Sequence, residues 1–183
     1  YGLSEAGVNC FSITEEDARE RPQSVGKPML HERAVIRRPD GTPCEPGEVG
    51  ELTLAGPHVF AGYFERPDAT AEVLRDGWLW TGDLATVDAD GFFELKGRRK
   101  ELFVSGGENV FPSEVEAAIA EHPAVSECAV VGVPDERWGE VGLAVVVPRA
   151  GATLTVDDLR SHLAGRLARF KVPKHFDFPT ALP

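Results

Sequence analysis

Turn signals crowd the first half of this chain, and they limit what it can build. "RPDGTPCEPGEVGE", "AGPH", "ERPDAT", "RDGW" and "DADG" follow one another between residues 38 and 91. Proline, glycine, asparagine and aspartate interrupt regular structure for known steric reasons. The runs between them, such as "AVIRR", "ELTLAG" and "GFFELKG", have the length of strands rather than helices. Glu51-Leu52-Thr53-Leu54 alternates polar and apolar, which predicts a half-buried strand. Asp90-Gly91 ahead of two phenylalanines predicts a hairpin turn. One short helix is expected from Asp68 to Leu74, with Pro67 near its start.

The texture changes near Gly97–Lys100. "PSEVEAAIAEH" predicts a helix, capped by Ser113 with Glu116 closing a capping box, and Val115, Ala118 and Ile119 on one face. "AVSECAVVGV" and "GLAVVVP" predict two buried strands. "TVDDLRSHLAGRLARF" predicts a second helix, capped by Thr155, with Leu159, Leu163 and Leu167 on one face. "KHFDF" adds a short final strand. The order β-α-β-β-α-β over residues 101–178 describes a small α+β unit.

Composition excludes several classes. The net charge of −11 repels nucleic acid and anionic membrane surfaces. No run of eighteen apolar residues predicts a spanning helix, and "YGLSEAGVNC" lacks the features of a signal peptide. Cys10, Cys44 and Cys128 are widely spaced and the five histidines scattered. Reduced, buried thiols of a cytoplasmic protein are therefore expected, and a His/Cys metal site is not. A chain that opens on Tyr1 and closes on "PTALP" is expected to be part of a longer one.

Several motifs carry chemistry, each beside a plainer reading. Asp83 in "WLWTGDL" is a turn aspartate, suited either to the two hydroxyls of a diol or to its own backbone. In "YGLSEAG", Tyr1 offers a ring for a purine, Ser4 a hydroxyl and Glu5 a carboxylate for Mg2+, or the segment is an ordinary loop. "GRRKELFVSGGENV" holds Arg98, Lys100, Gly106 and Gly107, where a basic turn and a hairpin are the plain reading, and Arg99 a solvated charge. Trp138 in "DERWGE" is either a cap on the core or a stacking platform, and Phe170, ending the second helix, reads as core.

Taken in order, "YGLSEAG", "GELTLAGPHVFAGYF", "WLWTGDL", "GRRKELFVSGGENVFPSEVE" and "PKHFDFPTALP" make the chain resemble the adenylate-forming superfamily. That superfamily comprises acyl-CoA synthetases, peptide-synthetase adenylation domains and luciferases. "SGGENVFPSEVE" is most similar to acyl-CoA or aryl-CoA ligases. The resemblance implies an α+β chain: the β-rich end of a large AMP-binding domain (1–97), a hinge (98–100) and a mobile lid (101–183). It implies that a fatty or aromatic carboxylic acid, ATP with Mg2+, and CoA are the reactants, and that acyl-CoA, AMP and pyrophosphate are the products.

By the same resemblance Tyr1 packs on adenine, Ser4 contacts phosphate and Glu5 links to Mg2+. Asp83 and Arg98 hold the ribose, and Lys100 is the hinge. Gly107, with Gly106 beside it, leaves room for the pantetheine arm, and Trp138 and Phe170 approach CoA. The family's phosphate-gripping loop lies upstream of Tyr1, and its catalytic lysine beyond Pro183, so these 183 residues alone are expected to be inactive. The alternatives are an adenylation domain that loads a carrier protein, and a non-enzymatic module derived from the fold. A homodimer is compatible with either.

Overall fold

The computed structural model describes residues 1–182. The chain divides into two compact units, Tyr1–Arg99 and Lys100–Pro183. Both mix helix with strand, giving the α+β class that the sequence predicts.

The first unit runs β1 (Phe11–Ser12), α1 (Glu15–Glu20), β2 (Ser24–Pro28), β3 (Arg33–Arg37), β4 (Gly50–Ala55), α2 (Pro67–Val73), β5 (Leu74–Arg75), β6 (Trp78–Val87) and β7 (Phe93–Arg98). The strands form one antiparallel sheet in the order β1-β2-β7-β6-β4-β3, with β5 paired to the start of β6. The hairpin turn between β6 and β7 forms as expected: Asp88 Oδ1 accepts from Asp90 N and Phe92 N, and Gly91 adopts φ 82°. Helix α2 matches its prediction within one residue at each end.

Helix α1 lies outside the elements that the sequence pattern predicts. Its signal is present: Thr14 accepts from Asp17 N as the N-cap, and Glu15, Glu16 and Asp17 fill the first turn, where the helix dipole favours anions. Six residues are too few for a periodic apolar face to show.

Strand β4 is buried on both faces rather than one. Leu52 and Leu54 enter the core with Ile36 and Leu79. Glu51 and Thr53, on the opposite face, are covered by polar partners. Arg37 Nε donates to Thr53 Oγ1 at 3.2 Å, and Thr53 donates to Val35 O at 2.8 Å. Glu51 is held by Gly82 N and Arg99, as described below. Alternation reports side-chain chemistry, and here both chemistries are enclosed.

The second unit runs β8 (Phe103–Ser105), β9 (Glu108–Val110), α3 (Pro112–Ala120), β10 (Val125–Asp135), β11 (Gly139–Pro148), α4 (Val156–Leu163) and β12 (His175–Asp177). The leading strand of the expected β-α-β-β-α-β order is a hairpin, β8–β9, turning at Gly106-Gly107. β11 is central: β10 lies antiparallel along it, β12 runs parallel to Leu143–Val145, and β8 meets it at Gly139. Val115 and Ile119 of α3 and Leu159 and Leu163 of α4 close over this sheet with no exposed surface. Each such side chain contributes about 1.5–3 kcal/mol relative to exposure.

Three local predictions are corrected. Phe111, not Ser113, occupies the N-cap of α3, because Pro112 is preorganised for the first helical position. Glu116 closes no capping box there; its Oε1 accepts from Val130 N at 2.8 Å and ties the helix to β10. Helix α4 stops at Leu163 instead of reaching Phe170, because Ala164 is extended and Gly165 takes φ 81°. Strand β10 is only partly buried, with Val131 49 % exposed. The Thr155 cap does form, and Asp158 completes a capping box with it.

Candidate active site

Three of the residues singled out from sequence converge in the first unit. Asp83 and Arg98 are register partners on β6 and β7, with Arg98 Nε 2.8 Å from Asp83 Oδ1. The Tyr1 hydroxyl donates to Asp83 Oδ2. Burial first, and the neighbouring Asp83 second, push the Tyr1 phenol above its ordinary range, so it stays protonated and acts as a donor.

This corrects the picture of a turn aspartate with exposed oxygens. Asp83 sits within a ten-residue strand and is 6 % exposed. Gly82, at φ 76°, bends the strand instead of ending it, and Thr81 Oγ1 accepts from Asp83 N while donating to Leu52 O. The Asp83 carboxylate is nonetheless an acceptor with about four lone-pair directions, of which Tyr1 and Arg98 use two. The Arg98 side chain is 56 % exposed, so the cluster is buried at the carboxylate and open at the guanidinium. A buried acceptor flanked by an open planar cation suits a neutral diol attached to an anionic group.

Two residues that sequence reasoning passed over support this cluster. Buried Glu51 accepts from Gly82 N at 3.0 Å and lies 3.5 Å from Arg99 Nε. Arg99 is therefore not simply solvated; its half-exposed guanidinium faces a buried carboxylate. Thr81 orients the Asp83 backbone. The available signal was a Glu at the strand position before Leu52, which alternation assigned to solvent.

The segment carrying Ser4 and Glu5 is a closed turn, with Leu3 N donating to Gly7 O and Ala6 N to Leu3 O. Ser4 is exposed at its tip. Glu5 is anchored twice: its carbonyl accepts from Phe60 N at 2.8 Å, and its Oε1 accepts from the Tyr63 hydroxyl at 2.7 Å. One fixed carboxylate suits Mg2+, which keeps most of its shell for water and phosphate oxygens. The ring of Tyr1 packs edge-on to Phe11 at 5.7 Å.

In the second unit the glycine pair and Trp138 come together. Gly106 N donates to Trp138 O at 2.9 Å, and a Cβ on Gly106 would lie 2.7 Å from Trp138 Cε3. Gly107, at φ 91°, faces open space. Trp138 sits in the tight β10–β11 connection and is 38 % exposed, so it is not a core residue. Arg137 and Lys174 lie against its ring at 4.8 and 5.1 Å. Asp135 holds the connection by accepting from Arg137 N and Trp138 N and pairing with Lys174.

Phe170 is likewise 40 % exposed, in a turn beyond α4, which corrects its reading as core. Lys100 is exposed at the start of the unit, beside an open cavity lined by Phe103, Pro112, Glu116, Val130 and Glu140. Of the cysteines, all reduced, only Cys10 is fully buried.

Comparison with known proteins gives a consistent result. Residues 1–64 match the AMP-binding enzyme family and residues 114–183 the AMP-binding enzyme C-terminal domain. A feruloyl-CoA synthase of Amycolatopsis sp is 48 % identical over all 183 residues. A 2-succinylbenzoate–CoA ligase of Geobacillus kaustophilus is 42 % identical over the same span. The chain spans 37 % of the length of each of these relatives. The o-succinylbenzoate CoA synthetase of Bacillus subtilis in complex with the acyl-adenylate intermediate OSB-AMP superposes with TM-score 0.96 at 38 % identity, over 100 % of this chain and 37 % of that one. The same enzyme in complex with ATP and magnesium ion gives TM-score 0.94, over 100 % and 38 %.

Proposed function

The chain belongs to the AMP-binding enzyme family, and on that premise we propose that it is the C-terminal part of an ATP-dependent carboxylate–CoA ligase acting on a fatty or aromatic acid. The observation that carries this is the convergence of Tyr1 and Arg98 on the buried carboxylate of Asp83.

The chemistry needs two steps because a carboxylate is a poor electrophile. Its oxygen bonds to the α-phosphorus of ATP, and the bridging oxygen leaves with pyrophosphate. The CoA thiol then bonds to the acyl carbon, AMP leaves with the bridging oxygen, and the thiol proton passes to solvent. In this scheme Asp83 accepts from the ribose hydroxyls. Arg98 holds the carboxylate in place and faces the nucleotide. Tyr1 fixes the second carboxylate oxygen and places its ring near the base, and Ser4 offers its exposed hydroxyl to phosphate.

Glu5 would hold Mg2+, which neutralises phosphate charge when bound. Among the described residues Glu5 belongs to no cluster of three or more candidate metal ligands, so substrate oxygens and water would complete its shell. Lys100, at the division between the two units, serves as the pivot between half-reactions. Gly106, Gly107, Trp138 and Phe170 receive CoA, with Arg137 and Lys174 supplying cations for its phosphates.

The test is a pair of assays on the whole enzyme that contains this chain, with a panel of fatty and aromatic acids. ATP–pyrophosphate exchange reports adenylation, and acyl-CoA release reports the second step. Both are expected, and the 183 residues alone should give neither. Carrier-protein loading without a CoA thioester would replace CoA by a carrier arm in this reading. Absence of nucleotide binding and of exchange with every acid would reject it.

A further inference from the structure

The turn preceding β3, the loop following β4 and the residue preceding β1 meet at one place in the first unit. They bring together the Sγ of Cys10, a carboxylate oxygen of Glu32 and a ring nitrogen of His58, all within 4.8 Å of one another. We propose that Cys10, Glu32 and His58 form a binding site for one divalent cation of the zinc class. The proposal does not depend on the ligase reading, and its ligands differ from the lone carboxylate assigned to Mg2+.

Burial is the first argument. The Glu32 side chain is 2 % exposed, and its Oε1 has no hydrogen-bond partner among the described residues. His58 Nε2 is equally enclosed and also lacks a hydrogen-bond partner, Glu32 being its charge contact. The two atoms lie 3.1 Å apart without the alignment of a hydrogen bond. A folded protein rarely leaves such groups facing each other unsatisfied. A cation between them would use both lone pairs.

Donor chemistry selects the ion. Thiolate, imidazole and carboxylate together are the ligand types of Zn2+, whereas Mg2+ and Ca2+ take oxygen shells. Ligand atoms on a tetrahedron with bonds of about 2.0–2.3 Å stand roughly 3.3–3.8 Å apart. The 3.1 Å between Glu32 Oε1 and His58 Nε2 is close to that edge and the other pairs lie within 4.8 Å, so modest side-chain shifts suffice. A thiolate, a carboxylate and a neutral imidazole also balance a divalent charge, leaving no net charge in a buried place.

Cys10 has no competing strong role. Its thiol makes weak contacts, at 3.4 Å, with Ala6 O and Gly7 O, and otherwise faces Glu32, a fellow ligand. The cation takes the place of the thiol proton, which is released to solvent. The His58 ring also packs over Gly56, where a Cβ would approach Cε1 to 2.6 Å, so the imidazole has a fitted seat.

Sequence inspection misses this site because its three residues come from three separate loops, with none of the short spacings that mark metal motifs.

The experiment uses the protein carrying this sequence, stripped with chelator and titrated with Co2+ as the spectroscopic probe and Zn2+ as competitor. One equivalent of Co2+ should bind, with a thiolate-to-cobalt charge-transfer band that Zn2+ abolishes. The band should vanish in Cys10→Ser and persist in Cys44→Ser and Cys128→Ser. Affinity should fall at least about tenfold in Glu32→Gln and His58→Gln. Because Cys10 and Glu32 are buried and their replacement can disturb folding, His58→Gln is the decisive variant, checked for an unchanged circular-dichroism spectrum. Zn2+ should raise the thermal midpoint of the parent protein and not of this variant. Failure to bind one equivalent, a band that survives Cys10→Ser, or undiminished affinity in folded His58→Gln would overturn the site.

Discussion

Arg98 reaches Asp83 across a single rung of an antiparallel ladder: the two are register partners, and Nε stands 2.8 Å from Oδ1. Backbone pairing therefore sets their distance, not a flexible loop. In the whole enzyme, Asp83→Ala should weaken ATP binding or adenylation by roughly tenfold or more, the scale of losing hydrogen bonds to a charged group. Arg98→Lys, which keeps the charge but loses the planar fork, should give a smaller loss in the same step. Pyrophosphate exchange against ATP concentration checks both. Unchanged exchange in Asp83→Ala would remove the nucleotide from this cluster.

Lys100 is exposed at the division between the two units. Proline there restricts the backbone without removing a buried contact. Lys100→Pro should leave adenylation near its parent rate and slow acyl-CoA formation by roughly tenfold or more, as expected for a pivot. Parallel loss of both half-reactions would show that the residue does something other than turn.

The two glycines of the β8–β9 turn separate steric from conformational effects. Both have positive φ, so alanine at either costs about 1–2 kcal/mol of backbone strain. Only at Gly106 does the new methyl meet the Trp138 ring, at 2.7 Å. Gly106→Ala should shift the tryptophan emission spectrum, whereas Gly107→Ala should not. Equal shifts in both would place the ring elsewhere.

Trp138 is 38 % exposed. Trp138→Ala should destabilise the chain by less than the roughly 3–5 kcal/mol of a core tryptophan. Its larger effect should be a raised KM for CoA in the thioester step. Urea unfolding together with CoA titration decides between a platform and a core plug.

The capping box of α4 gives a pH test. Hydrogen bonds from the Thr155 hydroxyl and backbone hold Asp158 below the ordinary carboxylate range. A lowered folded value means stability that is present above the unfolded carboxylate pKa and lost as pH falls through the folded one. Asp158→Asn should therefore be less stable than the parent at neutral pH, and the gap should close in acid. Thr155→Ala should cost about 1 kcal/mol at neutral pH. A gap independent of pH would exclude the carboxylate as its source.

What the sequence disclosed was mostly local. The Thr155 cap, the β6–β7 turn and helix α2 each depend on a few neighbouring residues, and each appears where the pattern placed it. The errors came where distant chain decides. Alternation places Glu51 in solvent because nothing near it in sequence announces Gly82 N and Arg99. Thr-Gly before Asp83 predicts a turn, yet pairing with β4 and β7 continues the strand past the bend at Gly82, with a register shift against β4. Residue type favours the core for Trp138 and Phe170, but a hairpin tip and a post-helical turn leave them at the surface. Cys10, Glu32 and His58 lie far apart in sequence and come together only in the fold.

The strand order has a kinetic consequence. In the first unit β2 pairs with β7, joining Ser24 to Glu94, so that rung waits for a long loop to close. In the second, β10 and β11 are joined by a three-residue connection and can zip from Asp135 and Gly139 outward. Local contacts form before distant ones are rewarded. During refolding, amide protection should appear along β10 and β11 before it appears at the Ser24–Glu94 rung, so the hairpin matures while the larger sheet is still searching for its closing partner.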